Sequence, residues 1–168
     1  MAIVRLTNEQ WGLATNCFVC EPRNERGLRL EFFHDTETDV VSSEFTLSND
    51  YSGAPNFVHG GVTLAILDEA QAWAPIAVCH RFAVTAETTT QFLRPIYVDR
   101  QYRVEVTITD QNPAEITTAA LVLDPAGKVK AQSRSRFVVI GEALAAEALG
   151  HELHHHHDYL RQGPDAPS

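Results

Sequence analysis

The sequence predicts an α+β fold in which one long helix packs on an antiparallel sheet. The first observation is an apolar run over about residues 61–78, which has no polar face and is typical of a buried helix. The second is a set of strand-like segments before and after that run, with turn sequences between the later ones. Strands grouped around one helix indicate an α+β layout. The 168 residues suffice for one domain with a sizeable core.

The first predicted element is a short helix over residues 7–17, with Thr7 or Asn8 as its N-cap. Strands are predicted at residues 28–33, 40–47, 84–92, 102–109, 116–123 and 129–140. The strand that starts at Tyr102 has the clearest period of two. Residues 50–55 have the composition of a loop before the long helix. Pro75 is expected to kink or end that helix, because proline has no N–H to donate.

The C-terminal part has a different composition from the rest. We predict one domain over residues 1–141 and a C-terminal segment over residues 142–168. The segment starts with an Ala- and Leu-rich stretch that favours a short helix. The histidine run within residues 151–157 is interpreted as a disordered tail, with metal binding as the alternative.

Charge and hydropathy exclude several classes of function. The net charge of −9 argues against general nucleic-acid binding, which needs a basic face. No apolar run approaches the ~20 residues that span a membrane. The first residues lack the long apolar core of a signal peptide. We therefore expect a cytoplasmic protein with neither a nucleic-acid nor a membrane partner.

Two of the three cysteines, Cys17 and Cys20, have the spacing of metal ligands. A structural zinc site usually takes four ligands from two such pairs, and the sequence has no second pair. A local turn with reduced thiols is therefore favoured over a metal or redox site. No metal and no cofactor are predicted.

The segment His59-Gly60-Gly61 opens the long helix. The glycines allow the backbone to approach a ligand closely. The first N–H groups of a helix have no partners within it, and together with the helix dipole they can stabilise a developing oxyanion. The alternative is a tight turn into the helix with no further role.

Asp68 and Glu69 are the only acids in the long helix, and they lie ~100° apart around its axis. Burial tends to raise a carboxyl pKa, which is how enzymes tune a base. The alternative is that one acid meets a basic partner in an interface. Gly60 and Asp68 are eight positions apart, or ~12 Å along the axis. One helix cannot easily bring both to one substrate, whereas two antiparallel copies can, and this favours a symmetric dimer with composite sites.

The sequence resembles the hotdog-fold acyl-CoA thioesterases, of the phenylacetate-degradation and 4-hydroxybenzoyl-CoA thioesterase type. The motifs that carry the resemblance are Cys17-Phe18-Val19-Cys20 with Asn24 and Gly27-Leu28, then Val58-His59-Gly60-Gly61-Val62 through Asp68-Glu69-Ala70, and then Thr85-Ala86-Glu87 through Gln91-Phe92-Leu93-Arg94-Pro95. The resemblance implies an antiparallel sheet wrapped around a long central helix. It also implies a dimer or a dimer of dimers.

The resemblance assigns roles to individual residues. Asp68 matches the acid that acts as nucleophile or general base, and the backbone N–H of Gly60 matches the group that polarises the thioester carbonyl. Thr85 matches a hydroxyl residue that helps to place the water or the acid, and His59 matches the histidine that shapes the turn. The residues expected to contact substrate are Asn56, Gly61, Glu69 and Arg94. The alternative for Arg94 is an exposed charge, although arginine suits phosphate recognition.

Three positions depart from the family pattern. Gly53 stands where many members have an Asn or Gln near the thioester carbonyl, with Asn56 as a candidate to compensate. Glu21 and Asn56 each stand where a glycine is common. The leading hypothesis is hydrolysis of an acyl-CoA or acyl-carrier-protein thioester. The alternatives are a hotdog dehydratase or hydratase that uses His59 with Asp68, and a non-catalytic acyl-thioester binder. The acyl group is left open.

Overall fold

The computed structural model of the protein describes residues 2–11, 13 and 15–149. Its elements in chain order are β1 (Ile3–Leu6), β2 (Phe32–Asp35), β3 (Val40–Thr46), β4 (Ser52–Ala54), β5 (Phe57–Val58), α1 (Gly60–Ala77), β6 (Ala83–Phe92), β7 (Gln101–Gln111), β8 (Glu115–Leu123), β9 (Val129–Val139) and α2 (Glu142–Leu149). A seven-stranded antiparallel sheet has the order β1-β2-β3-β7-β8-β9-β6, and β4 pairs with β5. The predicted α+β class and hotdog arrangement are confirmed.

The long helix α1 packs on one face of the sheet, against β3, β6, β7 and β8. Ile66, Leu67, Ala70 and Ala74 have no exposed surface, because they face the apolar side of the strands. Packing of this kind, rather than helix propensity alone, supplies most of the stability of a helix in a protein. The core therefore lies between α1 and the sheet.

One buried residue of α1 is polar. The Gln71 side chain donates to Ser133 Oγ at 3.2 Å and accepts from Thr118 Oγ1 at 2.8 Å. Both partners lie on central strands of the sheet, and a buried amide is costly unless it is hydrogen-bonded. These bonds therefore fix the position of α1 along the sheet, which in turn positions Asp68 and Glu69.

The helix α1 ends shortly after Pro75, as the sequence predicts. Pro75 lies inside the helix, which continues only to Ala77. The carbonyl of Pro75 accepts a hydrogen bond from the Arg81 N–H at 3.0 Å, outside the helical pattern. The chain then turns into β6.

The predicted N-terminal helix over residues 7–17 is wrong. Ile3–Leu6 form strand β1, which pairs with β2, and the only helical turn described in this stretch is a 3-10 turn at Glu9–Trp11. Thr7 does act as a cap, because its Oγ1 accepts from the Gln10 N–H at 3.3 Å.

The second strand is shorter than expected at its start. Residues 28–30 do not join the sheet, because the Leu28 and Leu30 N–H groups donate to the carbonyls of Phe18 and Val19, at 2.7 and 2.8 Å. The segment that carries Cys17 and Cys20 is thereby held against the protein. The predicted loop at residues 50–55 contains a 3-10 turn at Asn49–Tyr51 and the short strand β4.

Strand β6 forms one edge of the sheet. Most of its residues are exposed, including Val84 and Phe92. A long exposed edge strand is a template for pairing with another chain. The predicted C-terminal helix is present as α2, and the histidine run lies outside the described residues. None of the described helices is long and apolar enough to cross a membrane.

Candidate active site

The start of α1 is organised by His59. His59 is the N-cap, and its Nδ1 accepts from the Gly61 N–H at 2.9 Å. Its carbonyl accepts from the N–H groups of Val62 and Thr63. The Gly60 N–H has no protein acceptor among the described residues, and Gly60 is exposed. Of the two glycines, Gly60 therefore has the available donor, whereas the Gly61 N–H is occupied.

Gly60 opens onto a surface recess of about 350 Å³, which we call the Gly60 recess. Its walls are mostly apolar and include the exposed rings of Phe57 and Phe92. Arg94 also lines it, and its guanidinium donates to the Val129 carbonyl at 3.0 Å. The structure thus brings Arg94 to the same recess as Gly60. Its role in binding substrate remains a prediction.

The region around Gly53 explains one departure from the family pattern. A Cβ added at Gly53 would lie 3.1 Å from His59 Cδ2 and 3.2 Å from His59 Cα. An Asn or Gln side chain at this position would therefore require the N-cap residue His59 to shift by a few tenths of an ångström. Asn56 is exposed, and its carbonyl accepts from the Val98 N–H at 3.1 Å. Whether Asn56 compensates remains a prediction.

Asp68 is bonded by the edge strand. The Thr85 hydroxyl donates to Asp68 Oδ1 at 2.9 Å. The register of β6 against β9 shifts between Thr85 and Glu87, which marks a β-bulge. Bulges are frequent beside active sites, where they redirect a side chain. The structure therefore joins Asp68 to Thr85, as the resemblance implies, and their roles in the reaction remain predictions.

Glu69 lies in a different environment from Asp68. Its carboxylate and the thiols of Cys17 and Cys20 have ligand atoms that all lie within 4.8 Å of one another. Burial, with a smaller contribution from the Cys17 charge, raises the pKa of Glu69 to about 7. Glu69 therefore contacts the cysteine segment. A role for Glu69 in binding substrate remains a prediction.

The pKa values of the two thiols are shifted in opposite directions. A hydrogen bond from Cys20 lowers the pKa of the Cys17 thiol to about 5. The same hydrogen bond, together with burial, raises the pKa of Cys20. The turn expected at these residues is present, because the Glu21 N–H donates to the Cys17 carbonyl at 3.2 Å. The sequence analysis missed the carboxylate beside them. The CxxC spacing was a signal for such a cluster, but nothing in the sequence pointed from it to Glu69.

The sequence pattern of the thioesterase superfamily matches residues 55–131. The predicted resemblance to the thioesterase superfamily is confirmed. The matched segment contains the start of α1 with both of its acids, and it extends through β6 to the first residues of β9. No curated protein matches the chain.

Solved structures of thioesterase superfamily proteins share this fold. One such protein is 24% identical, with a TM-score of 0.70, and the match covers 77% of this chain and 64% of that one. A hypothetical thioesterase of Streptococcus pneumoniae, solved with coenzyme A, is 15% identical over 61% of this chain and 79% of its own, with a TM-score of 0.58. The E. coli PaaI protein of the phenylacetic acid degradation operon is 19% identical over 68% and 81%, with a TM-score of 0.60. At these identities the similarity establishes the fold.

Proposed function

We propose that the protein hydrolyses an acyl-CoA or acyl-carrier-protein thioester to a free acid and a thiol. The observation that carries the proposal is the hydrogen bond from Thr85 to Asp68. Asp68 lies on a helix whose first residue, Gly60, has an N–H with no acceptor in the part of the chain that the structure describes. The superfamily match supports acyl-thioester hydrolysis as the class of reaction. The coenzyme A bound to the streptococcal protein supports a CoA ester as substrate.

Each group has a chemical task. Asp68 takes a proton from the attacking water, or attacks the carbonyl carbon itself. The Thr85 hydroxyl holds the Asp68 carboxylate in place. The Gly60 N–H, at the positive end of the helix dipole, stabilises the negative charge that develops on the thioester oxygen. The thiolate of the carrier leaves and takes up a proton. Where Asp68 is the nucleophile, water then hydrolyses the anhydride between Asp68 and the acyl group, which releases the acid and restores Asp68.

The proposal requires two copies of the chain. Gly60 and Asp68 belong to the same helix and are ~12 Å apart along its axis, too far for one reacting carbon. Asp68 is half-buried in the single chain, on a stripe of α1 that the sheet leaves uncovered. The exposed edge strand β6 lies beside it. Two chains related by a twofold axis would bring Gly60 of one chain to Asp68 of the other.

The Gly60 recess suits the carrier arm of the substrate. Its apolar walls accommodate a pantetheine-like chain, and Arg94 offers a planar cation for a phosphate group. Because the net charge is −9, a polyanionic substrate needs such a local cation. Arg94 is therefore proposed as a substrate-binding residue.

Release of free thiol from a panel of short-chain, long-chain and aromatic acyl-CoAs tests the activity. We expect turnover of at least one ester, and its loss in Asp68→Asn. Enoyl absorbance measured in the same samples tests for a dehydratase or hydratase. Binding of acyl-CoA with no thiol release across the whole panel would contradict the proposal and favour a non-catalytic binder.

Mixing two inactive variants tests the composite site. Gly60→Pro removes the N–H at a helix position that tolerates proline, and His59, with φ −59° and ψ 135°, has a conformation that can precede proline. In a heterodimer of Gly60→Pro with Asp68→Asn, one of the two composite sites has both the Gly60 N–H and the Asp68 carboxylate, and the other site has neither. Random pairing should then restore about a quarter of wild-type activity. No restoration after confirmed subunit exchange would show that each site lies within one chain.

A further inference from the structure

The cluster of Cys17, Cys20 and Glu69 is not used by the proposed hydrolysis. Among the described residues, it is the one group of three or more metal-ligating side chains with ligand atoms close enough to share an ion. A tetrahedral zinc ion with two sulfur ligands and one oxygen ligand needs separations of about 3.5–3.8 Å between ligand atoms. The three ligand atoms lie within 4.8 Å of one another, so they would have to approach one another by about 1 Å to bind the ion. Small side-chain rotations suffice for that.

Each sulfur accepts a hydrogen bond, Cys17 from the backbone and Cys20 from a side chain. The Val19 N–H donates to Cys17 Sγ at 3.4 Å, within the turn that the Cys-x-x-Cys spacing forms. The Asn8 amide donates to Cys20 Sγ, also at 3.4 Å. The Val19 donor therefore favours the thiolate of Cys17, which is the form that binds metal. The Cys20 thiol also donates to Asn8 Oδ1, at 3.8 Å, and gives up its proton when metal binds. Asn8 is itself held by Glu21, at 3.3 Å.

The third ligand comes from a rigid element. Glu69 lies on α1, whose position is fixed by the packed core and by the Gln71 hydrogen bonds. The cysteine segment is held against the protein by the bonds from Leu28 and Leu30. The three ligands are therefore brought together by the tertiary structure. A preformed site avoids the ordering cost that a flexible pair of cysteines would have.

The fourth coordination position of such an ion would face a cavity of about 340 Å³. Cys17 and Glu69 line this cavity, whereas Cys20 is buried behind them. The other walls are largely apolar and include Trp73 and Phe82. Zinc sites with three protein ligands keep their fourth position for water or another small ligand.

We propose that Cys17, Cys20 and Glu69 bind one zinc ion, with a water molecule from the adjacent cavity as the fourth ligand. Two thiolates and one carboxylate suit a borderline-soft divalent ion such as Zn²⁺ better than Mg²⁺ or Ca²⁺, which prefer oxygen ligands. Binding releases to solvent the protons that the ligands still carry, that of Cys20 in particular. The site is separate from Asp68 and Thr85, so it extends the proposed function and does not depend on it.

The test must distinguish this site from the histidine run within residues 151–157, which can itself bind metal. Cobalt(II) serves as the probe, because bonds from thiolate to cobalt give a charge-transfer absorption in the near ultraviolet that imidazole ligands do not give. The reduced full-length protein is stripped with a chelator, titrated with cobalt and then with zinc. We expect a thiolate band that saturates at about one equivalent and that zinc removes.

Variants assign the ligands. Cys17→Ser and Cys20→Ser should abolish the thiolate band, and Glu69→Gln should weaken cobalt binding by about tenfold or more. Cys79→Ser is the matched control and should leave the band unchanged, because Cys79 is outside the cluster. Asp68→Asn should also retain the band, which separates this proposal from the hydrolytic one. If Cys20→Ser fails to fold by circular dichroism, Cys17→Ser and Glu69→Gln decide the question.

Two results would overturn the proposal. One is the absence of a thiolate band in the reduced wild-type protein at several equivalents of cobalt. The other is a band that survives in Cys17→Ser, or an unchanged affinity in folded Glu69→Gln, because either would remove a ligand from the three-ligand site.

Discussion

Asp68 and Glu69 are adjacent in the chain and have the same functional group, yet they lie in different surroundings. Asp68 accepts a hydrogen bond from Thr85 on the edge strand β6, on the stripe of α1 that the sheet leaves uncovered. Glu69 faces Cys17 and Cys20, and burial raises its pKa to about 7. The rotation of ~100° per residue in a helix separates the two acids. Each acid is therefore suited to a different task.

The difference is one of environment and not of residue type. The Thr85 hydroxyl holds the half-exposed carboxylate of Asp68 in one orientation. Enclosure next to two thiols makes the charged carboxylate costly unless a cation joins it. We therefore assign the hydrolytic role to the Asp68 side of the helix, and the metal-binding role to the Glu69 side.

The largest expected effect separates the two acids directly. Asp68→Asn should lower kcat by about 10³-fold, within the range attributed to a general base. Glu69→Gln should lower it by less than about tenfold, because its carboxylate does not contact Thr85. Steady-state thiol release at saturating substrate measures both, and circular dichroism checks the folds. Equal losses in the two variants would show that the two sides of the helix act as one site.

The next effect concerns the oxyanion donor that the Asp68 side needs. Gly60→Pro should lower kcat by about 10²-fold, the effect of removing one such donor. Gly60→Ala is the matched control, because it retains the N–H and its Cβ meets only Phe92, at 3.8 Å. Both variants should retain the thiolate–cobalt band. A Gly60→Pro enzyme with wild-type kcat would remove Gly60 from the mechanism.

The raised pKa of Glu69 should make the free energy of unfolding depend on pH. The carboxyl has a pKa of about 7 in the folded protein, against a usual value of 4.5. Between these values the folded state binds more protons than the unfolded state, so the free energy of unfolding falls as pH rises through this window. In chelator, the wild type should lose on the order of 1–3 kcal/mol more than Glu69→Gln between about pH 5 and pH 8.

Urea unfolding of the two proteins across that pH range measures this difference. Parallel pH profiles would mean that Glu69 is already solvated in the folded protein. Asp68→Asn serves as the comparison, since its carboxyl is not part of the cysteine cluster.

The smallest effect tests the contact that defines the Asp68 side. Thr85→Val removes the hydroxyl but keeps the branched shape, and it should lower kcat by about tenfold, as expected for the loss of one hydrogen bond to a charged group. Thr85→Ser keeps the donor and should retain most of the activity. If the valine and serine variants are equally active, the hydrogen bond seen at 2.9 Å has no part in turnover.

Local patterns predicted much of the fold because they reflect burial. The alternation from Tyr102 to Thr109 lies within β7, and the apolar run at residues 61–78 corresponds to α1. The helix predicted over residues 7–17 was wrong, because the described part of this stretch forms only a 3-10 turn and the Asn8 side chain bonds to Cys20 and Glu21. Bonds to residues that far along the chain leave no signal in a short window of sequence.

The sequence by itself determined the central helix, the glycines at its start and the presence of two acids on it. It also indicated a resemblance to the thioesterase superfamily, and the superfamily match over residues 55–131 includes two of the three motifs that carried it. Only the tertiary structure decided that Thr85 bonds to Asp68 and that Glu69 meets the cysteines. The physical reason is that these contacts join segments up to about fifty residues apart, and their distances depend on how the sheet and the helix pack.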